Sequence, residues 1–298
     1  MIGSRLTLRP SAKINLTLHV GPRRADGFHD VQTVLQSIAL SDRLTLTLER
    51  GPLRLDVKRA AAPAGKMNLV WRAAELMWRA LGRRGDPHGV RVTLEKGIPS
   101  AAGLGGGSAD AAAALAGLHK LWRGRLPRAE LLALSAELGS DVPFFFAGGT
   151  ALALGRGTEI YPLADSVPMA LLLIKPAVEI STAEAYRWFD DDAACTEAGS
   201  AGAVRAIDLG WVTGPIALSN DLQAPVARRH PAIAKAVDAL VEAGARGAMM
   251  SGSGSSVFGV FAPSAVGRAA ARLARPDWLV IPTRTLSRRV ACRRIGLC

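Results

Sequence analysis

The chain has 298 residues, 49% of them hydrophobic and 21% charged, which is the balance of a packed globular protein. That excludes a disordered or collagen-like chain, and the length fits one large domain or two modest lobes. Lys+Arg against Asp+Glu is 37 against 25, and the resulting formal charge of +12 suits anionic partners such as nucleotides, phosphorylated metabolites, nucleic acid or acidic lipid.

Residues 5–20 alternate apolar and polar side chains around Pro10, which predicts strand, interruption, strand. GPRRADGFHD at 21–30 reads as a polar, turn-rich loop. Strand character resumes over 31–48, most clearly in LTLTL at 44–48, and 69–81 has the apolar spacing of an amphipathic helix. A short strand over 90–94 leads to a glycine-rich loop, an alanine-rich helix from about Ser108 to Trp122, and another helix over 128–138. Asp141 falls in a turn, and the FFFAGGTALALGRGTEIYPL segment after it reads as strand, turn, strand. Pro162 and Pro168 bracket a lobe boundary, giving an N-terminal lobe of 1–165 and a C-terminal lobe of 166–298. Beyond it come a buried strand at 169–176, an acidic loop or surface helix at 189–206, and a helix at 230–243. Then follow strand, Gly/Ser turn, strand over 244–261, a helix at 264–275 and a last strand near 277–284. Grouped strands with helices between them predict α+β with mainly antiparallel sheets.

Cys195, Cys292 and Cys298 have no CxxC spacing, so neither a disulfide framework nor a thiolate zinc site is written here. The first twenty residues hold no apolar signal core, and the longest apolar run is far short of the roughly 20 residues a membrane span needs. The expectation is a cytoplasmic, bacterial protein that engages no membrane and no nucleic acid, as monomer or homodimer.

The most informative stretch is GIPSAAGLGGGSADAAAA at 97–114. Gly103, Gly105, Gly106 and Gly107 permit close backbone approach, and Ser108 then caps a helix of strong helix formers. A nest of N–H groups at a helix N-terminus binds phosphate. The Walker P-loop pattern is absent, and the dinucleotide fingerprint fails because its sixth position, counted from Gly103 as the first, is Ser108. Lys96, just before the loop, reads equally as a cation for a phosphate and as a solvated strand-end lysine.

PSAKINL at 10–16, GLGGGSADAA at 103–112 and SGSGSSVF at 251–258 resemble the three motifs of the galactokinase, homoserine kinase, mevalonate kinase and phosphomevalonate kinase (GHMP) superfamily. RADGFHDVQT, LGSDVPFF and SNDLQAPV bring it closest to the branch that phosphorylates the alcohol of a cytidine-diphosphate methylerythritol. In order and spacing the likeness runs from about residue 8 to residue 262. It implies a two-lobed fold: an N-terminal lobe like ribosomal protein S5 domain 2 and a ferredoxin-like α+β C-terminal lobe. It also implies an ATP-dependent small-molecule kinase using Mg²⁺.

By residue type alone, Asp141 reads first as a carboxylate bonding its own turn and Lys13 as a snorkelling lysine, ahead of a reacting carboxylate and an inward lysine. The resemblance makes Asp141 the base and Lys13 the stabiliser of the developing alkoxide. It implies ATP contacts by Asn68, Lys96, Pro99, Gly103, Leu104, Gly105, Gly106, Gly107 and Ser108, with Ser108 also the candidate metal ligand. Asn68 is equally a good helix cap. Substrate contacts fall to Asn15, Phe28, His29, Tyr186, Gly252, Ser253 and Gly254, with Trp188 or Phe189 as alternatives to Tyr186 for the second aromatic wall. Asn220 and Asp221 read as structural. The chain departs from the family in three places: Phe28 where tyrosine is frequent, Ala109 where a serine is frequent, and a basic tail after residue 285. The competing expectations are a homoserine- or mevalonate-type kinase of the same superfamily, and a basic nucleic-acid-binding module.

Overall fold

The computed structural model describes residues 4–59, 65–195 and 218–297. β1 (Arg5–Leu8) and β2 (Ser11–Arg23) part at Pro10, which has no N–H to give to a ladder. β3 (His29–Ser41) returns antiparallel to β2, with Arg23 opposite His29. Half of the predicted 21–30 loop is therefore strand, and residues 24–28 form the tip of a hairpin. β4 (Arg43–Pro52) and β5 (Arg54–Lys58) follow, then a 3₁₀ turn at Gly65–Met67 and α1 (Leu69–Ala80). Asn68 caps α1 by accepting from the Val70 N–H at 2.9 Å. β6 (His88–Glu95) completes a sheet of order β1-β4-β6-β5.

α2 (Gly106–Leu121), α3 (Arg128–Leu138) and α4 (Val142–Ala147) cover that sheet, and β7 (Thr150–Leu154) and β8 (Glu159–Pro162) extend the hairpin of β2 and β3. Two expectations are corrected here. α2 starts two residues before Ser108, with Gly105 at the cap; Ser108 lies within the first turn and makes no capping bond. The buried run Ala109–Leu115 sets the helix register, and glycine accepts the turn ahead of it. The Phe144–Phe146 segment is helical, not a strand. Pro143 suits a first turn, and in a helix all three rings reach the same apolar core.

β9 (Ala170–Pro176), α5 (Thr182–Cys195), β10 (Ser219–Asn220), α6 (Gln223–Arg229) and α7 (Pro231–Glu242) come next. The part of the predicted 189–206 segment after residue 195 lies outside the described residues. β11 (Gly247–Met250), β12 (Val257–Phe261), α8 (Val266–Leu273), β13 (Trp278–Arg284) and α9 (Arg288–Arg294) finish the chain. A second sheet has the order β10-β2-β3-β7-β8 and a third the order β11-β12-β9-β13. The ladders are antiparallel except β5 with β6 and β10 with β2, so the α+β expectation holds.

One apolar cluster sits between the first sheet and α1–α4, and another between the third sheet and its helices. A third joins the two halves. Ala12, Ile14 and Leu16 of β2 meet Leu171, Leu173 and Phe258 of the third sheet, and Ile98, Ala102 and Leu104 pack on the same cluster. The glycine loop thus rests on the junction of the second and third sheets. The basic tail also has a place: Cys292 of α9 is buried beside the Ala147 carbonyl, and Arg288 donates to the Thr150 and Leu163 carbonyls at 2.8 Å.

Candidate active site

The period of two along β2 decides what faces the cleft. Ala12, Ile14 and Leu16 enter the core, so Lys13 and Asn15 point the other way. Lys13 is only 4% exposed, yet its Nζ donates to Asn15 Oδ1 at 2.7 Å and lies 3.5 Å from Asp141 Oδ2. Asn15 Nδ2 donates in turn to Thr33 Oγ1 at 2.8 Å, which fixes the amide and its oxygen toward the lysine. Asp141 precedes α4 with its side chain 41% exposed, so this carboxylate is both paired and open to solvent.

The glycine loop closes over this pair. At Gly105, φ is +68°, and a Cβ there would come 3.0 Å from the Lys13 and Phe145 side chains. At Gly103, φ is +70°, and a Cβ would run into the Ser251 carbonyl of the third motif. The Ser251 hydroxyl donates to the Gly103 carbonyl at 3.1 Å, and the Ser256 N–H donates to the Ala102 carbonyl at 3.2 Å. Asn220 holds the same hairpin by donating to the Met250 and Gly252 carbonyls, each at 2.8 Å. Asp221 accepts from the Val20 N–H at 3.0 Å. Both residues knit β2 to the third motif.

Lys96 has a different environment. It pairs with Asp42 and, at 2.7 Å, with Asp110, all three side chains being buried. Asp42 also accepts from the Gly97 and Ile98 N–H groups at 2.5 and 2.7 Å. Burial opposes the ammonium, but Asp110 and Asp42 outweigh it and hold the Lys96 pKa above its ordinary value. Burial, and then the Asp42 charge, push the Asp110 carboxyl well above the usual carboxylate range, while Lys96 pulls it back.

At the other end of the cleft, Phe28 stands 49% exposed on the hairpin tip with the Arg156 guanidinium 3.8 Å from its ring centre. The His29 ring is buried and stacks on Tyr186 at 5.4 Å. Its Nδ1 is 3.0 Å from the Gly21 carbonyl and its Nε2 is 3.1 Å from Asp190. Both ring nitrogens are thus engaged, and the imidazole props Tyr186. Burial, and then the Asp141 charge, raise the Tyr186 pKa, so its phenol stays protonated.

One cavity of about 1150 Å³ contains every residue the sequence singled out for a site, from Asn68 and Lys96 through the loop and the Lys13–Asp141 pair to Phe28, His29, Tyr186 and Gly252–Gly254. Trp188 and Phe189 are not among its walls: Trp188 packs on His230, and Phe189 meets the edge of His29. Ala109 is fully buried in the core, so a hydroxyl at that position would face away from the cleft. Sequence reasoning missed Thr33, Asp42, Asp110, Arg156 and Asp190. Only Asp110, one helical turn after Gly106, had a local signal; the others reach the site across long stretches of chain. No helix among the described residues is long and apolar enough to cross a membrane.

Two family signatures match the chain, the GHMP kinases N terminal domain over residues 68–149 and the GHMP kinases C terminal domain over 200–276. A 4-diphosphocytidyl-2-C-methyl-D-erythritol kinase of Pelotomaculum thermopropionicum is 46% identical, across 96% of this chain and 99% of that protein. The crystal structure of a 4-(cytidine 5'-diphospho)-2C-methyl-D-erythritol kinase is 35% identical, with a TM-score of 0.77 across 94% of this chain and 99% of that one. An L. major mevalonate kinase in complex with R-mevalonate shares the fold at 15% identity, with a TM-score of 0.68 across 96% of this chain and 97% of that one.

Proposed function

The chain belongs to the 4-diphosphocytidyl-2-C-methyl-D-erythritol kinases of the GHMP kinase family, and on that premise we propose how its residues divide the work. It is an ATP-dependent kinase that phosphorylates the 2-hydroxyl of 4-diphosphocytidyl-2-C-methyl-D-erythritol, a step of the non-mevalonate route to isoprenoid precursors. Phosphoryl transfer asks for positioning and charge stabilisation more than for covalent chemistry. The carrying observation is Lys13, buried under Gly105 and reaching both Asn15 and the open Asp141 carboxylate.

Asp141 takes the proton of the 2-hydroxyl as the oxygen attacks the γ-phosphorus and the bond from that phosphorus to the β,γ-bridging oxygen breaks, releasing ADP; Lys13 stabilises the charge that grows on the attacking oxygen. The backbone N–H groups at the start of α2 receive the ATP phosphates. Asn68 and Pro99 border the nucleotide end. Phe28 and Tyr186 wall the cytosine, and Gly252–Gly254 close on the substrate. The His29 ring acts through Tyr186, since both its nitrogens are taken.

Magnesium prefers oxygen ligands, keeps several waters and binds largely through substrate phosphates. The residues present fit such an ion: Ser108 lines the cavity, its hydroxyl makes no hydrogen bond to the described residues, and no group of three His, Cys, Asp or Glu side chains among them forms a resident metal cage. Ser108 would hold it, and the ion would neutralise phosphate charge.

The test is ADP formation from Mg-ATP with the cytidine substrate, homoserine and mevalonate in parallel. Turnover with the cytidine compound alone is expected. Turnover with either other alcohol, and none with the cytidine compound, would overturn the assignment of Phe28 and Tyr186.

A further inference from the structure

Three arginines from separate parts of the chain lie near one another outside the cleft. The Arg9 N–H, in the link between β1 and β2, donates to the Arg294 carbonyl of α9 at 2.8 Å. The Arg294 guanidinium turns inward, its Nη1 donating to Ser11 Oγ at 3.0 Å and to the Ala39 carbonyl at 2.9 Å. Ile38, beside Ala39, bridges Thr285, so the backbone of Arg284 at the end of β13 lies opposite Ala39, whose carbonyl Arg294 contacts. None of the three borders the cavity of the kinase site.

Among the described residues no carboxylate pairs with any of the three arginines, and the side chains of Arg9 and Arg284 make no hydrogen bond. Burial, and then the nearby charges of Arg9 and Arg284, lower the Arg294 pKa. Arg294 still has Nε and Nη2 unused by the described residues. Guanidinium forks of this kind match the oxygens of phosphate.

We infer that Arg9, Arg284 and Arg294 form a second anion site, which takes a compact multivalent phosphate such as pyrophosphate and ties α9 and β13 to the β1–β2 link. Three positive groups on three segments favour a multiply charged anion over chloride, because a single ion then offsets several repulsions at once.

The test titrates pyrophosphate into the full chain at saturating ADP, so that the phosphate loop is already occupied. Sodium chloride at matched ionic strength runs alongside. The melting temperature should rise about 2–4 °C beyond the chloride control at about ten times the dissociation constant. Arg9→Gln and Arg284→Gln should each remove at least about half of that rise and leave KM for ATP unchanged. Without pyrophosphate at low salt, both variants should melt at or above the wild-type temperature, because each loses a like charge. A wild-type rise no larger than with chloride would overturn the site. So would an undiminished rise in both variants, or variants that melt below wild type without the anion.

Discussion

Two buried lysines flank the glycine loop, and the protein treats them in opposite ways. Lys96 sits in a closed network with Asp42 and Asp110, whose side chains are 0% and 3% exposed. Lys13 has one neutral partner, Asn15, and one loose acidic partner, Asp141, which stands 41% exposed. In sequence Lys96 reads as a cation for a phosphate or a solvated strand-end lysine, and Lys13 as an inward or a snorkelling strand lysine. The difference teaches that tight pairing marks architecture, while an incomplete, accessible pairing marks chemistry. Asp42 spends its oxygens on Lys96 and on two backbone donors, so it fastens the entry of the loop to the start of β4. Asp141 has lone pairs left for a visiting hydroxyl.

The comparison breaks most visibly at Asp42. Asp42→Ala leaves Lys96 with one partner and two backbone donors with none, and removing one member of a buried pair costs about 3–5 kcal/mol. Denaturant unfolding should record that loss; a change below about 1 kcal/mol would mean the network is not what anchors the loop. Asp141→Asn should do the reverse. Turnover falls at least about 10²-fold, while the unfolding midpoint stays within error of wild type. Near wild-type turnover would remove Asp141 from the role of base.

A third substitution sharpens the contrast between the two ends of the cleft. Stacking of a base on an aromatic ring is worth roughly 1–3 kcal/mol, so Phe28→Ala should raise KM for the cytidine substrate about tenfold to a hundredfold. KM for ATP should stay put, because Phe28 lies on the β2–β3 hairpin tip and not on the loop. Equal rises in both would make Phe28 a packing residue.

Local patterns carried much of this molecule. Alternation in β2, the helix at 128–138 and the glycine run at the start of α2 are short-range signals, and the structure follows the first two and moves the helix start into the third. The three superfamily motifs also meet, because β2, the loop and the β11–β12 hairpin converge where Gly103 touches Ser251. What sequence reading missed depends on tertiary contact. Phe144–Phe146 reads as strand because buried aromatics suit either period, and only the surrounding core selects the helix. Asp42, in an unremarkable SDR turn, acquires its meaning 54 residues later at Lys96. Asp190 reaches His29 across 161 positions. The tail after 285 shows no motif because its task is packing on α4 and the β1–β2 link, which needs small and basic residues in no fixed order.

The smallest effect lies inside the closed network and concerns pH. Burial, and then the Asp42 charge, raise the Asp110 pKa above its ordinary value near 3.8, against the pull of Lys96. The folded protein then keeps a proton that the unfolded chain releases as pH climbs past that value. Stability contributed by this proton is full below the unfolded pKa and is lost as pH rises toward the folded one. Asp110→Asn keeps the shape and the acceptor oxygen but has no proton to lose. Its unfolding midpoint in urea should vary less between pH 4 and pH 8 than that of wild type, and should overtake it toward the upper end. It also leaves Lys96 opposite a single charge, so the pair with Asp42 becomes neutral as a unit. Parallel pH curves for the two proteins would mean that Asp110 binds protons alike in the folded and unfolded chains, and that Lys96 fully offsets its burial.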